Sequence, residues 1–158
     1  MKIADVETFV VANPPPGFGG PFWVFVKLTT NDGVSGIGEV YAAPFDPHLV
    51  AQLVEDVCAR EVIGADPFGI ERLWRIVYSS GYTQRPDLTL LGILSGIEMA
   101  CWDIIGKALD RPVYDLLGGR VHESLRTYTY IYREDDDATD VYSDPGLAAE
   151  RAVAYVEK

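Results

Sequence analysis

Residues 90–109, LLGILSGIEMACWDIIGKAL, are apolar on nearly every side of a helix. Such a segment has no face to give to water, so it must form the buried centre of the unit it belongs to. Gly92, Gly96 and Ala100 make a ridge of small residues along it, over which another backbone can approach closely. Glu98, Asp103 and Lys107 interrupt the apolar run, and charges in such a place need partners. Asp103 and Lys107 have the i, i+4 spacing to pair. Their expected job is structural, tying this unit to whatever follows it.

The N-terminal part reads as sheet. Residues 3–12, 22–30 and 34–41 are rich in Ile, Val, Thr and Phe, and Asn31-Asp32-Gly33 between the last two is a strong hairpin turn, because these residues tolerate positive φ. A three-stranded antiparallel sheet is predicted. Its first connection, residues 13–21 (NPPPGFGGP), is stiffened by prolines in one half and freed by glycines in the other. Phe18 and Phe22 are its apolar contact points.

Helices follow. Asp46-Pro47 and Asp66-Pro67 each offer a side-chain acceptor at the N-cap and a proline at N1, so each is predicted to start a helix. In the first, Leu49, Leu53 and Val57 recur at helical spacing beside Val50 and Val54, and Gly64 is placed to end it. In the second, Ile70, Leu73, Trp74 and Val77 form the stripe.

The 158 residues carry a formal charge of -11, which argues against a nucleic-acid partner, since phosphate binding draws on clustered Lys and Arg. Cys58 and Cys101 lack metal or redox spacing and do not make a disulfide framework. The opening residues Met1-Lys2-Ile3-Ala4-Asp5 have an acid where a signal peptide needs an apolar core, and no run is expected to reach the roughly 18 residues of a membrane span. A reducing cytoplasm, with no membrane association, is the expectation.

Residues 93–107 resemble the signature helix of the mandelate racemase and muconate-lactonizing branch of the enolase superfamily: Ser95, Gly96, Glu98, Ala100, Asp103, Gly106 and Lys107 satisfy its pattern, while Ile93 and Cys101 are mild departures. The hairpin at residues 31–39, NDGVSGIGE, resembles the family's DG-x-x-G-x-GE strand pair, and Gly118-Gly119 its usual break before the barrel. The resemblance implies an α+β cap domain over residues 1–120, a three-stranded antiparallel sheet followed by helices. Residues 121–158 are then the first βα unit of an incomplete (β/α) barrel, with residues 125–132 as its strand and 145–158 as its helix. A barrel of this type takes about 250 residues. The rest of it is expected in cis or as a second chain, and without it residues beyond about Arg120 would expose unpaired strand edges.

The resemblance also implies chemistry. Family members hold Mg²⁺ on three barrel carboxylates and remove the proton α to a substrate carboxylate, the metal stabilising the resulting enediolate. No catalytic residue or metal ligand can be carried over onto this sequence, so the Mg²⁺ ligands are expected outside it. The substrate expected is a small carboxylate, favoured as a sugar acid undergoing dehydration; racemase or cycloisomerase activity, or a non-catalytic piece that docks with a separate barrel, are the alternatives. The Ala42-Ala43-Pro44 loop, Gly81-Tyr82 and Tyr128-Thr129-Tyr130 look more like the sugar-acid members, and family members often form homo-oligomers.

In the cap, Phe18, Trp23 and Tyr41 are the candidates for a substrate-facing wall, with Gly17, Gly19 and Gly20 as hinges. Large aromatics on strands are more often core, which is the competing reading for Trp23 and Tyr41. Arg85, in the polar loop with Tyr82 and Gln84, is a candidate partner for a substrate carboxylate, against the commoner exposed or structural role. Residues 134–137, EDDD, invite a metal reading, but contiguous acids on a loop diverge and are expected to be solvated. His48 and His122 are isolated and expected at the surface.

Overall fold

The computed structural model describes residues 1–15, 17–41, 45–134, 137 and 139–157. Strands β1 (Ile3–Ala12), β2 (Phe22–Thr30) and β3 (Ser35–Val40) form an antiparallel sheet in the order β1-β2-β3, as the alternation predicts. Phe9 lies opposite Phe25, and Val24 opposite Val40. Val34 belongs to the turn rather than to β3: its amide donates to Thr30 Oγ1 at 3.1 Å, and Gly33 takes a φ of 83° that a side chain would resist. Alternate residues Val24, Val26 and Leu28 of β2 and Val40 of β3 are buried on one face.

Helix α1 (Pro47–Val57) starts where expected: Asp46 accepts from the amides of His48 and Leu49, and Pro47 sits in the first turn. The chain winds on through a wider π turn, Cys58–Val62, before Gly64, with a φ of 84°, turns it away. The buried face is Val50, Ala51, Val54 and Val57, so the valines of the predicted set face the core, while Leu49 is 46% exposed. Helix α2 (Ile70–Ser80) begins later than predicted. Asp66 spends its carboxylate on the Phe68 amide and its carbonyl on Gly69, around a fully buried Pro67, so the pair builds a separate turn and Gly69 becomes the cap. Leu73 and Val77 carry its buried face, while Trp74 stacks on Tyr78 at 4.8 Å.

Helix α3 (Leu88–Leu109) is the centre of the fold, capped by Asp87 and closed by Asp110 in the left-handed conformation. By length and composition it would also pass for a membrane span, contrary to the expectation that no run is long enough. Here its apolar residues Ile93, Leu94, Ile97, Ala100 and Ile104 are buried in the core shared with the sheet. The predicted small-residue ridge meets β3 itself. A Cβ on Gly38 would lie 1.9 Å from the Gly96 carbonyl oxygen, and one on Gly36 2.1 Å from that of Ala100, so backbone rests on backbone. Asp103 pairs with Lys107 at 2.8 Å and accepts from the Ile37 amide at 2.9 Å, while Lys107 donates to the Ser35 carbonyl at 2.8 Å. These charges therefore pin α3 to β3 inside the unit. Glu98 accepts from Trp102 on the same helix.

After the single turn α4 (Val113–Leu116), residues 125–132 form no strand. A strand is defined by its neighbour's hydrogen bonds, and no described strand runs beside this segment, which is largely exposed. Helix α5 (Pro145–Val156) does form, its amides at Gly146 and Leu147 capped by Asp144; Lys158, the last residue of the predicted helix, lies outside the described residues. Of the acidic run, Asp135 and Asp136 are also outside them. Asp137 is not solvated as expected: it is buried, accepts from the Glu134 amide and is gripped by Arg151, which also reaches Glu134 at 2.8 Å.

Candidate functional site

A cleft of about 170 Å³ opens at the end of the sheet, where the β1–β2 loop folds over the start of α1. Gly19, Gly20, Pro21, Phe22 and Trp23 form one side, Glu39, Val40 and Tyr41 at the end of β3 another, and Phe45, Pro47 and Val50 close it. The loop keeps its shape through its own polar groups. Asn13 Nδ2 donates to both the Phe18 and the Gly20 carbonyls at 2.8 Å, and the Gly20 amide donates to the Gly17 carbonyl. Gly19 takes a φ of 87°, and a Cβ there would strike the Trp23 ring at 3.0 Å, so glycine is needed on both counts.

Two of the four residues singled out from the sequence, Trp23 and Tyr41, line this cleft together; Tyr41 is 76% exposed and so is not a core aromatic. Phe18 lies on the outer side of the same loop, its ring 4.4 Å from that of Tyr132. Arg85 stands elsewhere, its guanidinium 5.3 Å over the Tyr78 ring of α2. The residues that sequence reasoning missed are Asn13, Glu39, Phe45 and Tyr132. An Asn next to a proline run is a signal for a loop clamp, and Glu39 was read only as part of a strand-pair motif. Nothing local marks Phe45 or Tyr132, which reach the site through tertiary contacts. The Ala42-Ala43-Pro44 segment lies outside the described residues.

Among the described residues, Glu39 is the only charged one in the lining. Among the described residues no three His, Cys, Asp or Glu side chains gather as a metal site, and Glu134 and Asp137 are engaged by Arg151. The described residues therefore do not fit Mg²⁺. His48 and His122 are exposed, as expected. Cys58 and Cys101 are free thiols, fully buried, and burial above all pushes each up to about 12.

Residues 19–118 match the sequence model of the mandelate racemase / muconate lactonizing enzyme N-terminal domain. The chain belongs to this family. A D-galactonate dehydratase of Variovorax paradoxus is 36% identical over 91% of this chain and 34% of its own length. A D-galactonate dehydratase family member of Pseudarthrobacter chlorophenolicus is 40% identical over 85% of this chain and 31% of its own. The solved structure of a protein assigned to the mandelate racemase/muconate lactonizing family from Labrenzia alexandrii is 56% identical, with a TM-score of 0.92 over 99% of this chain and 39% of that one. The chain thus spans about a third of the length of the curated relatives it matches.

Proposed function

We propose that this chain is the cap of a Mg²⁺-dependent sugar-acid dehydratase, with residues 1–120 as the cap domain and 121–158 as the start of the catalytic barrel. The observation that carries the reading is the lining of the cleft: the aromatic residues Trp23, Tyr41 and Phe45, the acidic residue Glu39 and, among the described residues, no cation. Aromatic faces suit the C–H surfaces of a polyol, and Glu39 accepts hydrogen bonds from hydroxyls while repelling a carboxylate. The cap therefore suits the hydroxylated tail of an aldonate, leaving its carboxylate to groups outside this chain, where Mg²⁺ would be held. The two dehydratase relatives support the same substrate class.

In the reaction, the proton α to the carboxylate passes to a base of the barrel, the β-hydroxyl takes a proton from a barrel acid and leaves as water, and the enol tautomerises to a 2-keto-3-deoxy acid. Trp23 and Tyr41 form the cap's side of the substrate chamber, Phe18 backs the loop that covers it, and Arg85 remains a candidate only if the substrate extends towards α2. The strandless segment 125–132 favours a completing barrel, in cis or as a second chain. A homo-oligomer in a reducing cytoplasm is the accompanying expectation.

The test is to incubate the full-length protein with a panel of aldonates and aldarates, D-galactonate first, with and without Mg²⁺, and to measure 2-keto-3-deoxy acid. Metal-dependent keto-acid formation supports the reading. Exchange of the α-proton with solvent deuterium without loss of water would replace it with racemisation, and a lactone product with cycloisomerisation.

A further inference from the structure

We propose that Tyr132 is a positioning residue that sets the pose of the 17–20 loop over the cleft, a role resting on the reading of that cleft as the cap's substrate site. Three contacts fix the loop from three directions. Asn13 holds the Phe18 and Gly20 carbonyls from the β1 side. Trp23 lies against Gly19 from the cleft side. Tyr132 supplies the third: its hydroxyl accepts from the Gly19 amide at 3.0 Å, and its ring packs on Phe18 at 4.4 Å and 35°.

The Gly19 contact joins residues 113 positions apart, so it couples the loop to the segment expected to become the first barrel strand. Tyr128, Tyr130 and Tyr132 follow one another edge to face at 6.1 and 6.2 Å, but only Tyr132 is half-buried, because only it has the loop to pack against. Gly19 lies between Tyr132 on one side and the Trp23 ring on the other. Releasing its amide therefore frees the loop to leave Trp23 and widen the cleft, while the sheet and α3 are untouched. Tyr132 meets the cleft lining at Gly19, so it acts on substrate through the loop.

The experiment compares the full-length protein with Tyr132→Phe, which keeps the ring and removes the acceptor, and Tyr132→Ala, which removes both. Hydrogen exchange at Gly19 is expected to rise roughly fivefold in Tyr132→Phe, in line with the loss of one hydrogen bond. Tyr132→Ala should also loosen Gly20, and the α3 amides should keep their protection in both, showing an intact fold. With the sugar acid turned over by the wild type, KM should rise several-fold while kcat is retained.

Unchanged exchange at Gly19 in Tyr132→Phe would overturn the proposal. So would faster exchange with an unaltered KM, since the loop would then be released without consequence for substrate. A wild type that dehydrates no sugar acid counts against the proposed function, while the exchange arm still decides whether Tyr132 holds the loop.

Discussion

Replacing Gly38 by alanine tests the packing on which the whole unit depends. The added Cβ would lie 1.9 Å from the Gly96 carbonyl oxygen and 3.0 Å from the Ala100 amide nitrogen. Both are backbone atoms of a long helix, so no rotamer change can make room. To restore ordinary contact, β3 and α3 must part by about 1.5 Å, a gap that forfeits more than half the dispersion energy of the groups facing across it. Overpacking that side chains can absorb costs about 1–3 kcal/mol. Without that relief the cost here should be ~3 kcal/mol or more. Hydrogen exchange of the slowest α3 amides reads this directly, since each 1.36 kcal/mol is about a tenfold change, so the acceleration should be roughly a hundredfold or greater. Gly33→Ala is the control: nothing lies within 4 Å of its Cβ, and the cost is only the left-handed backbone at a φ of 83°, about 1–2 kcal/mol. If Gly38→Ala accelerates exchange no more than Gly33→Ala does, the argument from backbone contact is wrong.

Three further outcomes follow from other parts of the structure. Cys58 and Cys101, buried and raised to about 12, stay as neutral thiols at pH 8; alkylation mapped by mass spectrometry should label neither in the native protein and both after denaturation, and rapid native labelling of either would contradict their burial. The Arg151 hydrogen bond, with the Glu134 amide, holds the Asp137 carboxyl below its ordinary range, so its stabilisation is present at neutral pH and is lost only as pH falls through the lowered folded-state value. Corrected exchange of the α5 amides should therefore be flat from pH 7 to about 4, the ordinary carboxylate range, and rise below it. Asp137→Asn should abolish that acid step, and a step near pH 6 would refute the assignment. Tyr41→Ala should change stability by less than about 0.5 kcal/mol, because the side chain is 76% exposed, yet raise KM for the sugar acid; an unchanged KM would remove Tyr41 from the substrate wall.

The hairpin, the cap at Asp46 and the central helix were legible because each depends on neighbours in sequence: a turn triplet, an acceptor two or three residues before an amide, an unbroken apolar run. The small-residue ridge was legible as a surface to be covered, though not which backbone would cover it. The failures share a different cause. Asp66-Pro67 has the local chemistry of a helix start, but burial of Pro67 fixed a turn there and delayed the helix to Ile70. Residues 125–132 have the composition of a strand and no described neighbour to make them one. Asp137 looked like one of four solvated acids until α5 brought Arg151 to it from 14 positions away. At the cleft, Trp23 and Tyr41 were visible as aromatics at loop-proximal strand ends. Tyr132 was not, because its partner Gly19 is distant in sequence and offers only a backbone amide.

The cleft inherits its dimensions from the seam between β3 and α3. A Cβ on Gly92 would lie 2.2 Å from the Tyr41 carbonyl oxygen, and one on Gly96 2.9 Å from that of Glu39. The two polar residues of the cleft's β3 wall are thus seated by their own backbones on glycines of the core helix. Any larger residue in the seam would shift that wall and strain the core together, so the wall cannot be retuned without loss of the fold. The opposite side is held differently: the 17–20 loop depends on Asn13, Trp23 and Tyr132, none of which is in the buried core. Substitutions there change the width of the cleft at little cost to stability. On the proposed function, a fixed wall that presents Glu39 and Tyr41, opposite a loop free to vary, would let the cap keep one mode of hydroxyl recognition while altering the length and shape of the tail it accepts.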